Sequence, residues 1–317
     1  MTEINISIGQ MKEKLAGVGY LADDYIATSV VLASRLSKPV LVEGPAGTGK
    51  TELAKAVATA FGMPLIRLQC YEGLDEAKAL YEWDYAKQLL AIQIAKLTQI
   101  VEPEGSELPG LETKEPREKN AFFTTGIAKS IFSEDFLLPR PLLQAIRAPE
   151  QVVLLIDEVD RIDVEIEALF LEILSDYQVS IPELGTIKAA NIPLVFLTSN
   201  DTRDLSEALK RRCLYLHLDY PSREREAAII RSHLPNIDEH LLNEIARFSG
   251  LLREMDLEKP PSISETLDYA SALIMLSSKH ITDEPAKDII NVLLKYISDI
   301  KQVRSLLDSK TDKDFLS

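Results

Sequence analysis

The chain has 317 residues, enough for a well-buried core and about two domains. Acids outnumber bases by 50 to 35, a net charge of −15 that repels phosphate backbones and counts against a nucleic-acid partner. No apolar run reaches the roughly 20 residues of a membrane span, and the start "MTEINISIGQMKEK" lacks a signal-peptide layout, so a cytoplasmic location is expected.

Along the chain, short apolar runs alternate with longer amphipathic stretches, the pattern of a parallel sheet with crossover helices. Strands are predicted at 39–44 (PVLVEG), 64–69 (PLIRLQ), 151–158 (QVVLLIDE), 193–200 (PLVFLTSN) and 213–218 (CLYLHL). The run from Val152 to Ile156 has no polar interruption, as a strand covered on both faces requires. Helices are predicted from Glu52 to Phe61 and from Glu165 to Tyr177, where apolar residues recur at helical spacing. Residues 101–120 are rich in Glu, Pro and Gly and are expected to form a flexible surface insertion. Beyond Tyr220 and Pro221 only amphipathic helices are predicted, which places a boundary between a first domain, 1–220, and a helical second, 221–317.

The cysteines, Cys70 and Cys213, are too few for a disulfide framework and are expected to be reduced core residues. The four histidines, His217, His233, His240 and His280, show no HExxH-like spacing, and no histidine-ligated metal is expected. Trp83, the sole tryptophan, is assigned to core or interface packing, with a gripping role at the surface for it or Tyr81 as the alternative.

Four elements carry chemistry. Gly44, Pro45, Ala46, Gly47, Thr48, Gly49, Lys50 and Thr51 complete the pattern G-x-x-x-x-G-K-[ST] between a strand and a helix. Such a loop curls its N–H groups around an anion, Lys50 supplies a cation to the β- and γ-phosphates, and the Thr51 hydroxyl ligates Mg²⁺. Asp157 and Glu158 end the third predicted strand, where Asp157 holds the water shell of Mg²⁺ and Glu158 polarises a water for attack on the γ-phosphate. Asn200, at the tip of the fourth, is placed to reach that water or the γ-phosphate. Arg211 and Arg212 end a helix before the last strand; one reading is dipole complementation, the other an arginine finger aimed at a neighbouring subunit.

In this order the elements resemble the AAA+ ATPases, and more narrowly their MoxR-like branch. Walker A is "GPAGTGKT", Walker B is "LLIDEVD", and sensor 1 is Asn200. The stretch from Ile156 to Gly185 looks like the MoxR pattern of a helix and short hairpin after Walker B, while "QCYEGLDEAKALYEW", "EDFLLPRPLLQAI" and "PSISETLDYA" look like the CoxD-like group. The resemblance implies an α/β P-loop AAA+ core with a five-stranded parallel sheet in the order 5-1-4-3-2, an all-α lid, and a homo-oligomeric ring, usually a hexamer, with ATP between subunits. It further implies a chaperone that remodels or metallates a client protein, with a partner carrying a von Willebrand factor A domain. Alignment to the family matches Arg212 to the finger, with Arg211 as rival. Where many members carry a sensor 2 arginine this chain has Ser264, and Ser262 with Glu265 forms a capping box instead. The alternatives are a nucleotide-gated scaffold and a motor acting on nucleic acid.

Overall fold

The computed structural model describes residues 6–101 and 131–309. Of the expected insertion, residues 102–120 lie outside the described residues, and residue 101 ends the helix Tyr85–Val101.

Strands β1 (Val40–Glu43), β2 (Leu65–Gln69), β5 (Val153–Asp157), β8 (Leu194–Ser199) and β9 (Leu214–His217) make one parallel sheet in the order β2-β5-β8-β1-β9. Numbering these five in chain order gives 5-1-4-3-2, the order expected. Every residue of β1, β5 and β8 is buried, as expected of unbroken apolar runs; β2 and β9 are the part-exposed edges.

Alternate side chains of the sheet enter two different cores. Leu41, Leu154, Ile156, Val195 and Leu197 face one layer, where the helices Pro141–Ile146 and Val164–Asp176 pack. Val40, Val42, Val153, Leu155 and Phe196 face the other, covered by the helices Ile8–Gly17, Asp24–Leu36 and Lys50–Phe61. Cys70 and Cys213 are buried and unpaired, and burial pushes each thiol up to about 12.

Two small antiparallel pairs stand apart from this sheet. The antiparallel pair β6 (Gln178–Ile181) and β7 (Gly185–Lys188) follows the helix Val164–Asp176, as the resemblance implied. The pair β3 (Tyr81–Trp83) and β4 (Leu137–Pro139) has no counterpart in the sequence reading, because its strands are three residues long and lie far apart in the chain. Trp83 is buried there, edge-on to Tyr81 and Phe132, which is packing.

From Arg223 onward the regular elements among the described residues are all helices, and a third apolar cluster, from Ile230 to Leu307, is built wholly from this region. Inside it Arg253 donates in bidentate fashion to Glu226, at 2.6 and 2.7 Å, and lies 4.7 Å from the centre of the Tyr220 ring. Both ion-pair partners are withdrawn from solvent, so removing one strands the other's charge. Arg253→Ala is expected to destabilise the protein by about 3–5 kcal/mol, read as a lowered urea midpoint, with part recovered by adding Glu226→Gln. An unchanged midpoint would show that the pair contributes nothing.

Candidate functional site

Parallel registry brings the chemical residues together. Ile156 lies opposite Leu197, and Glu43 opposite Ser199, so β1, β5 and β8 end side by side. The loop after β1, the acids after β5 and the turn after β8 therefore share the carboxyl edge of the sheet, where open α/β sheets bind ligands.

The loop Gly44–Gly49 is backed tightly on two sides. At Gly44, φ +147°, a Cβ would lie 2.0 Å from the Leu218 carbonyl oxygen; at Gly47, φ +77°, it would lie 2.1 Å from the Ser262 Cβ. Only glycine fits either place. The Thr48 hydroxyl donates to the Pro45 carbonyl at 3.0 Å, and Lys50 Nζ donates to the carbonyls of Gly44 and Pro45 at 2.8 and 2.7 Å. Burial pushes the Lys50 ammonium below its ordinary range, opposed by the negative fields of Asp160, Asp157 and Glu158.

Asp157 is 3% exposed and fully engaged. Its Oδ1 accepts from the hydroxyls of Thr51 (2.9 Å) and Thr198 (2.5 Å), and its Oδ2 accepts from Arg67 at 2.5 Å. A buried carboxylate beside the Thr51 hydroxyl is the oxygen-only donor pair that suits Mg²⁺, and the glycine-backed loop suits a phosphate chain; the residues fit both groups.

Glu158 sits in the left-handed region, φ 57° and ψ 50°, with its N–H donating to Thr198 Oγ1 at 2.9 Å. Its carboxylate is half-exposed and pairs with Arg161 Nε at 2.9 Å. Thr198 thus holds both acids in place through one hydroxyl, donating to one and accepting from the other's backbone.

Asn200 follows β8, its N–H donating to Asp160 Oδ2 at 3.3 Å; Thr202 N–H joins the same oxygen at 3.2 Å. Of the two arginines, Arg212 is turned back onto its own chain, with Nη1 on the Ala208 carbonyl at 3.0 Å and Nε on the Ser175 hydroxyl. The Arg211 side chain is 81% exposed, its nearest acid oxygen, on Glu207, at 3.9 Å. Neither lies among the phosphate-loop contacts of its own chain.

Sequence reasoning missed Arg67, Thr198, Asp160 and Arg161. Asp160 carried the clearest signal, as a third acid in "IDEVD" that the structure buries.

Beside the loop opens a cavity of about 710 Å³, lined among others by Tyr20, Asp23, Glu52, Tyr220, Arg225 and Leu267. Arg225 spans it, donating to Asp23 (2.7 Å) and to the Leu21 carbonyl (3.0 Å), while Ile263 N–H donates to the Gly47 carbonyl (3.2 Å). The helical region therefore closes one wall. The capping box is formed as expected, Glu265 N–H to Ser262 Oγ at 3.2 Å and Ser262 N–H to Glu265 Oε2 at 2.8 Å, and Ser264 lines the cavity.

A glycine-backed phosphate loop opening a helix, beside an acid-tipped parallel strand in this sheet order, defines an AAA+ P-loop α/β core. The family model described as "AAA domain (dynein-related subfamily)" matches residues 39–213, more than half of the chain, and the protein belongs to that family. An uncharacterized protein of Staphylococcus haemolyticus is 27% identical over 263 residues, 81% of this chain and 83% of its own length. One from Staphylococcus epidermidis is 24% identical over 282 residues, 87% of this chain and 90% of its own. A solved structure of the Thermotoga maritima RuvB Holliday junction branch migration motor is similar at 18% identity and TM-score 0.44, covering 93% of this chain and 72% of that one.

Thr198→Val keeps the shape but deprives the Glu158 N–H of its acceptor and Asp157 of a donor. A loss of about 1–3 kcal/mol is expected in chemical denaturation. A neutral result would show that neither group depends on the hydroxyl.

Proposed function

We propose that this chain is an ATPase of the MoxR-like, CoxD-like kind, which couples ATP binding and hydrolysis in an oligomeric ring to remodelling or maturation of a client protein. The observation that carries the ATPase reading is the cluster of Thr51, Asp157, Thr198 and Glu158 at the carboxyl edge of the sheet, beside Lys50. In this reading residues 1–220 are the nucleotide-binding domain and 221–317 the lid, supported by the separate apolar cluster of the helical region. Among the described residues no helix is long and apolar enough to cross a membrane, which fits a cytoplasmic protein. A hexamer, a partner with a von Willebrand factor A domain, and cofactor insertion into the client rest on the motif resemblance.

The loop N–H groups bind the phosphates, and Lys50 leaves the carbonyls of Gly44 and Pro45 to add its charge there. Thr51, and Asp157 through the ion's water shell, would hold Mg²⁺, which when bound would neutralise developing phosphate charge. Glu158 takes a proton from the attacking water, and Asn200 orients that water. An arginine of a neighbouring subunit, Arg212 by motif position or Arg211 by exposure, completes the site.

The Glu158–Arg161 pair favours a second reading, a nucleotide-gated scaffold in which the base stays engaged. The net charge disfavours a motor on nucleic acid. Steady-state hydrolysis with and without DNA separates the three.

Lys50→Ala is expected to abolish ATP binding. Glu158→Gln should retain it while hydrolysis falls by about 10²–10⁴; unaltered hydrolysis would remove Glu158 from the base's role.

Arg212→Ala should bind ATP yet lose roughly 10³–10⁵ in rate. Mixing it with Lys50→Ala subunits should restore partial turnover, since intact arginines then face filled pockets. The same mixture with Arg211→Ala decides which arginine acts, and rescue by neither in demonstrably mixed oligomers would sink the shared site.

A further inference from the structure

Far from the phosphate loop, the helical region gathers His240, Glu244 and His280. His240 and Glu244 are four residues apart on the helix Glu239–Glu254, so they share one face; His280 arrives from the turn after the helix Ile263–Met275. Glu244 is 2% exposed, embedded among the apolar side chains of the third cluster. The Ile281 N–H holds its Oε2 at 3.1 Å. Its Oε1 faces His280 Nδ1 at 3.1 Å and His240 Nδ1 at 3.3 Å, with the two rings 85° apart and centroids separated by 5.1 Å.

We propose that His240, Glu244 and His280 form a binding site for a divalent transition metal of the Zn²⁺ class. The three ligand atoms lie within 4.8 Å of one another. Metal–ligand bonds of roughly 2.0–2.1 Å at tetrahedral angles separate neighbouring ligand atoms by about 3.3 Å. Both Nδ1–Oε1 separations, 3.1 and 3.3 Å, match that edge; the shorter is also a hydrogen bond, so the ring nitrogens already converge on one carboxylate oxygen and an ion would take the proton's place.

A buried carboxylate requires compensating positive charge, and a cation between it and two imidazoles provides this. Two nitrogens and one oxygen favour zinc, cobalt or nickel over Mg²⁺ and Ca²⁺, which take oxygen-rich sets. His240 is half-exposed, giving the ion a path from solvent, and three protein donors leave a fourth position for water. Bound there, the ion clamps the helix Glu239–Glu254 to the His280 turn and stabilises this region by mass action.

The test uses the full chain, stripped with a chelator and free of nucleotide. Titrated with Zn²⁺, it should bind one equivalent and melt at a higher temperature; Co²⁺ should give visible d–d absorption bands from the same site. His240→Ala/His280→Ala should lose the equivalent, the bands and the thermal shift. Single His240→Ala, at the exposed ring, should weaken Zn²⁺ by more than the roughly 10- to 100-fold that loss of a ligand's supporting partner costs. Circular dichroism in chelator separates ligand loss from unfolding; if the double variant unfolds, the single variant decides. No bound equivalent in the wild-type chain at zinc equal to protein, or zinc affinity in a folded variant indistinguishable from wild type, overturns the site. Loss of zinc binding with unaltered ATP hydrolysis leaves the ATPase reading standing, so the two fail separately.

Discussion

The rest of the site depends on the Asp157 carboxylate, which is buried and must be satisfied where it stands. An unpaired carboxylate at that depth would carry a heavy desolvation cost. Three donors from three elements solve the problem: Thr51 from the helix after the loop, Thr198 from β8 and Arg67 from the edge strand β2. The same contacts fix those elements relative to one another. Satisfying one acid therefore sets the distance between the phosphate loop and the strand tips, and with it the geometry in which Glu158 and Asn200 are presented.

Much of this was legible because it is local or periodic. The five strands are apolar runs whose two-sided burial erases the polar alternation, and the phosphate loop is an unbroken eight-residue pattern. What escaped is long-range. Arg67 sits on an edge strand, where an arginine looks like a solvated side chain; the register pairs it with Leu155, and only its long side chain reaches Asp157 two residues further on. Asp160 holds the turn carrying Asn200 through two backbone N–H groups, and nothing within the sequence links those positions. The pairing of Tyr81–Trp83 with Leu137–Pro139 joins segments too short to show a period. His240 and Glu244 show their shared helix face in their spacing, but the third member lies 36 residues beyond Glu244, out of reach of any local pattern.

Glu158 combines two constraints that ordinary acids avoid. Its left-handed backbone is uncommon for a residue with a Cβ, and the hydrogen bond to Thr198 holds that conformation in place. Its side chain reaches along the next turn to Arg161 rather than across the sheet edge. The backbone is thus fixed while the carboxylate can exchange partners by rotation about its own side-chain bonds, without moving β5. Arg212 is held differently: its contacts with Ala208 on its own helix and with Ser175 on the helix Val164–Asp176 tie the guanidinium between the two helices.

The contact between Gly47 and the first turn of the helix Ile263–Met275 has a mechanical consequence. That helix has 13 residues, hence a length of roughly 20 Å. Its start abuts the loop through the Ile263 N–H and the Ser262 Cβ, while Tyr269, Ala270 and Leu273 seat it in the third apolar cluster, so a shift of the loop would be passed on to the helical region. A tilt of about 10° about that end would move the far end through about 3–4 Å. At that far end stand Met275, 82% exposed, and Leu276. A small shift at the phosphate loop would therefore reach the protein surface as a larger one.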